Sequence, residues 1–524
     1  MMTGMLRRWV FRWRRAADPV LSGNRPANHA LYAACGAALS YYFLFPLLRS
    51  GRIGMSALLA LVFVPVAALC LFRVLASLPQ AWDLEPRALS MRITAFVAGI
   101  ALGIGAAAGV SHGPAFGVPE DTVVGISGVL LDDPRLLSGG CAMARLSLRD
   151  AYGRAAGGAI GARATATGEI TVFFREENAG RLREFGRGTL VFADGRLRAT
   201  DRGYVFNADS LHVTAGASAL DRFRTNLRLG LADRLAGRSA GQAEWGGLAL
   251  ALLLGVRDNL DSELIALYRG AGISYILALS GMHLAVIIGL VSFLLKKPLG
   301  LRPAAIAGAV VIVAYCFIVG PLPSLYRSAL MYILGVLAVL GMLKRDSLSV
   351  LAMAFVIQLA LTPQAGVSLS FILSYTAMVG ILVLGKSLRG VLRGLVPPLV
   401  LGPLALSIGA FVGTAWVVAW FFGDLRPAGI VAGLVVAPLT SVFMVGSMIW
   451  LGLDAALPGI SHLLAWPLSL LYRAMGETAR LAGFLPGLNA NPYLVLLFSL
   501  AVAALLIWLD RWLRARRDRL EPFA

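Results

Sequence analysis

Three segments of this chain set polar side chains within apolar surroundings, where chemistry is easiest to notice. In GVRDNLDSELIALYRGAGISYILALSGMHLAVIIG, residues 255 to 289, a polar stretch passes through Gly270 and Gly272 into an apolar run bearing Ser280, Gly281 and His283. An imidazole near the middle of a membrane-spanning helix is costly enough that it should face a cavity or a partner. The plain alternative is a neutral His283 hydrogen-bonded within the packing. Ser280 and His283 stand at i and i+3, a spacing open to a nucleophile and its base, but no third group that would orient the base is visible. Arg327, in PLPSLYRSALMY, has no acidic residue within a turn or two of it. Its fork of donors suits phosphate oxygens, unless the side chain only snorkels to the headgroups. In GVSLSFILSY, Ser368, Ser370 and Ser374 fall on one helical stripe beside Phe371. Such hydroxyls either join helices or line a wet path. Trp416, Trp420, Phe421 and Phe422 form an aromatic belt or, less simply, a base-stacking platform.

Other chemistry is missing from the sequence. The five histidines, His29, His112, His212, His283 and His462, are far apart and form no HxHxDH cluster for a two-metal hydrolase. There is no GxxxxGK[ST] phosphate loop. We therefore expect no metal, no cofactor and no enzyme, and any directed transport needs an outside motor or gradient. Cys35, Cys70, Cys141 and Cys316 are scattered, with no CxxC spacing, and read as packing residues.

The elements that must position these residues follow from composition. Of 524 residues 58% are hydrophobic and only 14% charged, which a soluble core cannot accommodate. Repeated apolar runs of about 20 residues make the bilayer the solvent. The net charge of +19 fits either a polyanionic partner or ordinary cytoplasmic loops. The basic stretch with Arg7, Arg8, Arg12, Arg14 and Arg15 belongs on the anionic cytoplasmic face, so the amino end is inside. Residues 1–117 then hold three spanning helices, at about 29–48, 53–76 and 92–110. Gly99 with Gly103, and Gly105 with Gly109, are small-xxx-small pairs suited to close helix contact.

From 118 to 215 the texture changes to short alternating stretches broken by glycine, among them GEITVFF, GTLVFADGRLRA and GYVFNADSLHV. Period-two patterning of this kind predicts a small all-β, OB-like barrel on the extracytoplasmic side. Its twelve basic and twelve acidic side chains cancel, which is weak support for nucleic-acid binding by the barrel itself. Residues 216–242 read as an amphipathic interfacial helix, with Leu220, Phe223, Leu227, Leu231 and Leu235 on one face and Arg222, Arg224, Arg228 and Arg234 on the other. Residues 243–512 form a second bundle with runs at about 273–295, 302–319, 323–343, 347–361, 366–385, 397–421, 427–452 and 493–510. The short run 245–255 reads as a half-helix. Basic loops at Lys296, Lys297 and Arg302, at Lys344 and Arg345, and at Lys386, Arg389 and Arg393 all fall on the expected cytoplasmic side. The stretch 462–483 either crosses or lies on the surface, and the basic tail 513–524 ends inside only if it crosses. The fold class is thus a polytopic α-helical membrane protein with an inserted OB-like β-domain.

With these parts in order, the chain resembles the ComEC family. ALLLGVRDNLDSELIALYRGAGISYILALSGMHL is similar to the family's opening signature at Gly255, Gly272, Ser280, Gly281 and His283. SLYRSALM matches its short motif around Arg327, and SLSFILSYTAMVGILVL its Leu-Ser-Phe motif at Leu369, Ser370 and Phe371. The resemblance covers roughly residues 30 to 510. It departs where the family usually has His at Tyr275, Gln at Ser368 and Asn near Gly433, and this chain stops where many relatives continue into a metallo-β-lactamase-like domain. The resemblance implies a multi-pass channel of the cell inner membrane that moves single-stranded DNA into the cytoplasm during natural transformation. Its path candidates are Ser280, Gly281, His283, Arg327, Ser370 and Phe371. The implied partners are single-stranded DNA and the lipid bilayer, with a cytoplasmic motor or helicase, a periplasmic DNA receptor and a separate nuclease. Two rivals stay open: a solute or anion transporter, and a non-transporting scaffold.

Overall fold

A computed structural model describes residues 26–44, 86–108, 114–136, 141–154, 160–174, 186–200, 203–236, 240–257, 259–320, 322–341 and 346–520. The basic segment at 7–15, the run 53–76, Gly109, and Lys344 with Arg345 lie outside them.

Helix α1 (Pro26–Leu39) continues into a π-helical turn, Ser40–Leu44, and packs on α2 (Pro86–Ala108). A Cβ on Gly99 would run into the Ala33 carbonyl and one on Gly103 into that of Ala37, so the two helices run parallel at backbone contact. This is the use expected of the Gly99–Gly103 pair. Gly105, expected to act likewise, faces open space instead.

The inserted domain carries β1 (Ala115–Phe116), β2 (Val123–Leu130), β3 (Arg135–Leu136), β4 (Ala142–Arg154), β5 (Ile160–Thr167), β6 (Glu169–Phe174), β7 (Leu190–Thr200) and β8 (Gly203–Ala215). Pairings β2–β4, β4–β6, β6–β8, β8–β7 and β7–β2 close a five-stranded ring in which only β6–β8 is parallel. Alternate residues point inward, and Ile126, Leu146, Val172, Val191 and Phe206 are fully buried inside it. The period-two segments of the sequence supply three of these strands.

Amphipathic α3 (Ala219–Leu235) is capped by Ser218, whose hydroxyl accepts from the Asp221 amide at 3.1 Å. The bundle follows, opening with α4 (Ala240–Leu254) and α5 (Ser262–Gly270). It continues with α6 (Gly281–Leu299), α7 (Leu301–Val319), α8 (Pro323–Leu340), α9 (Ser347–Leu361), α10 (Leu369–Leu392) and α11 (Pro398–Phe422). The chain ends in α12 (Ala428–Ala456), α13 (Pro458–Gly483) and α14 (Pro492–Leu520). Among the described residues seven helices, α6, α7, α8, α10, α11, α12 and α14 as far as Asp510, are long and apolar enough to cross a bilayer. This is a multi-pass helical membrane protein with a β-domain.

The sequence places one spanning helix over 273–295, and this needs correction. Gly272 takes φ +75°, Ser274–Ile276 form one 3₁₀ turn, and Ser280 is extended at φ −133° and ψ 177°. The helix starts only at Gly281, so His283 sits in its first turn and not at mid-span. The break survives because its backbone groups are satisfied. Arg257 Nη2 donates to the Leu277 carbonyl at 2.9 Å, Ser324 Oγ to that of Leu279 at 2.7 Å, and the Ser280 amide to His283 Nδ1 at 3.1 Å.

The segment left open between 462 and 483 belongs to α13, which returns antiparallel along α12. Thr440 Oγ1 donates to Met475 Sδ at 3.4 Å, Leu468 packs at Gly446 and Gly483 lies against Gly270. Short strands β9 (Asp424–Leu425) and β10 (Leu488–Asn489) then pair, bringing the chain back to the end where α12 starts. Helix α14 descends from there, Tyr493 against Trp420 with ring centroids 5.4 Å apart, until Asp510 meets Gly390. The tail therefore leaves the bundle at the end that carries Lys386 and Arg389. At the opposite end the barrel is attached.

Candidate functional site

The motif residues gather where α6, α8 and α10 begin. Helix α8 starts with Pro323 at its first position, where a missing N–H costs nothing, and its fifth residue is Arg327. Arg327 is 6% exposed, yet among the described residues no carboxylate pairs with its guanidinium. Its Nε donates to Ser374 Oγ at 2.7 Å, Nη1 reaches Met331 Sδ at 3.6 Å, and Cζ lies 5.9 Å from the centroid of the Tyr375 ring. An isolated cation at this depth is held by a hydroxyl, a thioether and a ring face. The snorkelling alternative does not describe it.

Gly281 faces this guanidinium. A Cβ there would sit 2.7 Å from Ser328 Oγ and 3.6 Å from Arg327 Nη2. The positive end of the α6 dipole and the Arg327 charge thus share one small volume. His283 is fully buried; because its Nδ1 accepts from the Ser280 amide, the ring's proton is on Nε2, which has no hydrogen-bond partner. The serine hydroxyl lies 3.1 Å from Nδ1, and the two residues form a capping box at the start of α6.

Other sequence candidates separate. Ser370 is exposed on the face of α10 that also carries Ser374, whereas Ser368 caps the helix, accepting from the Phe371 amide at 3.3 Å. Phe371, expected on the path, is fully buried between Phe355 and Tyr375, at centroid distances of 5.6 and 4.6 Å. An aromatic ring beside a serine motif faces inward here because α9 offers Phe355 as a partner. The basic helix also differs from expectation. Arg224 and Arg228 do not face solvent: Arg224 is 2% exposed and grips Asp133 with Nη1 at 3.0 Å and Nη2 at 2.7 Å. Its Nε donates to the Phe317 carbonyl at 2.8 Å. Arg228 also pairs with Asp133 and reaches the Val319 carbonyl at 3.2 Å. Arg234 lies 3.9 Å from Asp454, and Arg222 is exposed.

Some residues of the site carried no sequence motif. Gln358, in the middle of an apolar run, is buried and bridges α8 to α10, donating to the Pro323 carbonyl at 2.9 Å and accepting from Tyr375 at 2.8 Å. Its amide was the available signal. Tyr41 and Tyr42 donate to the Pro363 and Gly366 carbonyls at 2.6 and 2.7 Å, tying the first helices to the start of α10.

Two departures from the family pattern meet in space. A Cβ on Gly433 would overlap the Tyr275 hydroxyl, while the ring carbon Cζ is 3.7 Å away. The phenol fills the volume that a side chain at 433 would need. Gly433→Ala is expected to cost about 1–3 kcal/mol through overpacking, and Tyr275→Phe in the same chain should recover most of it. The check is a double-mutant cycle on thermal midpoints in detergent; equal losses with and without the hydroxyl would refute the pairing.

Fold and site together define a polytopic membrane bundle that keeps an uncompensated cation among the first turns of three spanning helices. Residues 252–513, half of the chain, match the family model for competence proteins, and the chain belongs to that family. It is 30% identical over 194 residues to an uncharacterized protein of Aquifex aeolicus, covering 37% of this chain and 44% of that one. It is 26% identical over 135 residues to ComE operon protein 3 of Bacillus subtilis, covering 25% of this chain and 17% of that protein. The chain thus spans less than half the length of these curated relatives.

Proposed function

We propose that this protein is a channel of the cytoplasmic membrane that passes single-stranded DNA inward during transformation. Membership of the competence family supports a role in DNA uptake at the general level, and the buried, unpaired Arg327 carries the finer reading. A polyanion needs positive potential along its route without binding so tight that it cannot leave. One guanidinium held by a hydroxyl and a ring face supplies that; a salt bridge would cancel it. Ser280, Gly281, His283 and Ser370 border the route, and Phe371 holds α9 and α10 beside it. In this reading the barrel end, including residues 118–215, faces outward, and the end with Lys296, Lys386 and Arg389 faces the cytoplasm. A motor or helicase inside, a DNA receptor outside and a separate nuclease complete the system.

The test is entry of labelled DNA from periplasm to cytoplasm in a deletion strain complemented with wild type or with Arg327→Ala at equal abundance. Deletion should abolish entry, and Arg327→Ala should restore less than about a tenth of it, given the loss of a charge-assisted contact of about 1.5–3 kcal/mol. Unchanged entry in the deletion strain would direct attention to small anions as the passengers.

A further inference from the structure

We infer that water reaches the middle of the bundle from the barrel end, in a recess along α4, α5 and α13 that lipid does not seal. Such a recess is independent of what the bundle carries. Its depth follows from contacts between the helices. Helix α12, 29 residues long, is one of the spanning helices, and Thr440 near its middle meets Met475 of α13 at 3.4 Å. Helix α5 rises beside α13 in step with it. A Cβ on Gly476 would lie 3.9 Å from Leu264 Cδ1, and one on Gly270 would lie 4.0 Å from Gly483 Cα. The start of α5 is therefore level with Arg473, close to the middle of α12 and about 12 Å below Gly270 by helical rise.

Two separate features at this level are incompatible with hydrocarbon. The first is charge. Arg473, Glu477 and Arg480, on successive turns of one face of α13, are 66%, 66% and 62% exposed. Glu244 of α4, 3.0 Å from Arg473, is exposed too, as are Asp261 and Glu263 at the start of α5. Lipid tails do not solvate charges so placed. The second is backbone. Residues 255–257 and 259–261 are not helical, and they bring the chain back down beside α4, where a Cβ on Gly247 would overlap the Asn259 carbonyl. Asn259 is exposed. Non-helical chain at membrane depth is stable only when packed in protein or facing water.

The α11 and α14 side differs. There Phe421, Phe422, Leu494, Leu497 and Phe498 are exposed up to the helix ends, as contact with lipid requires. The exposed stripe of α13 is apolar below the charges, at Leu463, Trp466 and Leu470, and apolar again above them, at Leu481 and Phe484. The charges thus lie within the span and not beyond it. The way in runs along α5, whose exposed positions Glu263, Ala266 and Arg269 include no large apolar side chain up to its end. Charges of both signs border the recess, so it suits water and small ions better than a polyanion.

The test uses the full-length chain with Cys35, Cys70, Cys141 and Cys316 replaced by alanine, in vesicles sealed with the barrel side outward. The probe is a membrane-impermeant methanethiosulfonate, with rates normalised to those after unfolding in dodecyl sulfate. Ser262→Cys and Glu477→Cys should react on the order of 100-fold faster than Leu470→Cys and Leu497→Cys, since a thiol in hydrocarbon does not ionise. Leu497 is the sharper control, because it lies only about 8 Å into α14 by helical rise. Cationic and anionic probes should both react. Ser262→Cys changes a single atom, so it decides the question even if Glu477→Cys does not fold. Rates at both sites as slow as at Leu497→Cys, or reaction only with probe inside the vesicle, would overturn the recess. A disulfide between two copies of Glu477→Cys on oxidation would also overturn it, since protein and not water would then cover the face.

Discussion

Replacing Asp133 with Ala is expected to weaken attachment of the barrel to the bundle by about 3–5 kcal/mol, the cost of stripping a buried cation of its partner. One carboxylate on the irregular segment after β2 accepts from Arg224 through both oxygens, from Arg228, and from the Arg187 amide at 3.1 Å. The two arginines in turn hold the C-terminal carbonyls of α7, Phe317, Ile318 and Val319, which have no intrahelical donors. Gly320, at φ +102°, leaves room for the guanidinium, which lies 3.2 Å from its Cβ position. Without the carboxylate, two like charges converge beside helix ends that were organised around it. Limited proteolysis of the detergent-solubilised protein should release the barrel from Asp133→Ala at temperatures where the wild type stays whole. The pH dependence has a definite sign. Burial pushes the Asp133 carboxyl up, but the Arg224 hydrogen bond and the nearby Arg228 and Arg224 charges outweigh it, holding the group below its ordinary value. Its contribution is therefore full above about pH 4, where an unfolded aspartate is ionised, and is lost as pH falls through the lowered native value. Asp133→Asn should release the barrel with no such acid-side slope; a slope unchanged from wild type would exclude Asp133 as its source.

That attachment shows what sequence reading captures and what it does not. Alternation in GEITVFF and its neighbours is a local property, and it predicted strands that close into the barrel. Apolar runs are local too, and of the eight expected in the second bundle all but 273–295 became helices that start within a few residues of the expected position. Arg224 and Arg228 lie among other arginines on an amphipathic pattern, and the pattern alone says a basic face at the membrane interface. Their burial depends on Asp133, 91 positions from Arg224, and on carbonyls at the end of a helix that folds later in the chain. The burial of Phe371 is nonlocal in the same way, since motif position says nothing about which way a ring faces. His283 was displaced from mid-span to a first turn because hydropathy averages across Gly272 and Ser280, where the backbone actually breaks. Arg327 was legible because its lack of an acidic neighbour in sequence persists in space among the described residues.

The break before α6 carries the other large expected effect. Gly272→Ala should lower the stability of the bundle by about 2–5 kcal/mol, since two costs coincide at one atom. The backbone stands at φ +75°, which an L side chain adopts at a cost of about 1–2 kcal/mol. A methyl there would also lie 2.7 Å from Arg426 Cβ and 2.8 Å from the Arg426 carbonyl oxygen, and relief of such overpacking costs a further 1–3 kcal/mol or so. The neighbour cannot turn aside easily: Arg426 is fixed by Asp424 at 2.7 Å and by the Gly270 carbonyl at 2.7 Å. Gly429 closes on Gly272 from the other direction, its Cβ position 2.6 Å from the Gly272 oxygen. The two costs are separable. Asparagine tolerates positive φ better than alanine but adds bulk, so Gly272→Asn should be as damaging as Gly272→Ala if crowding dominates and milder if strain does. Thermal midpoints in detergent rank the pair. Because Gly272 sets where the helix must stop and restart, both variants should also reduce DNA uptake beyond their loss of folded protein, through misplacement of Gly281 relative to Arg327. Normal uptake per folded molecule in both would mean that the geometry of the break does not govern the route.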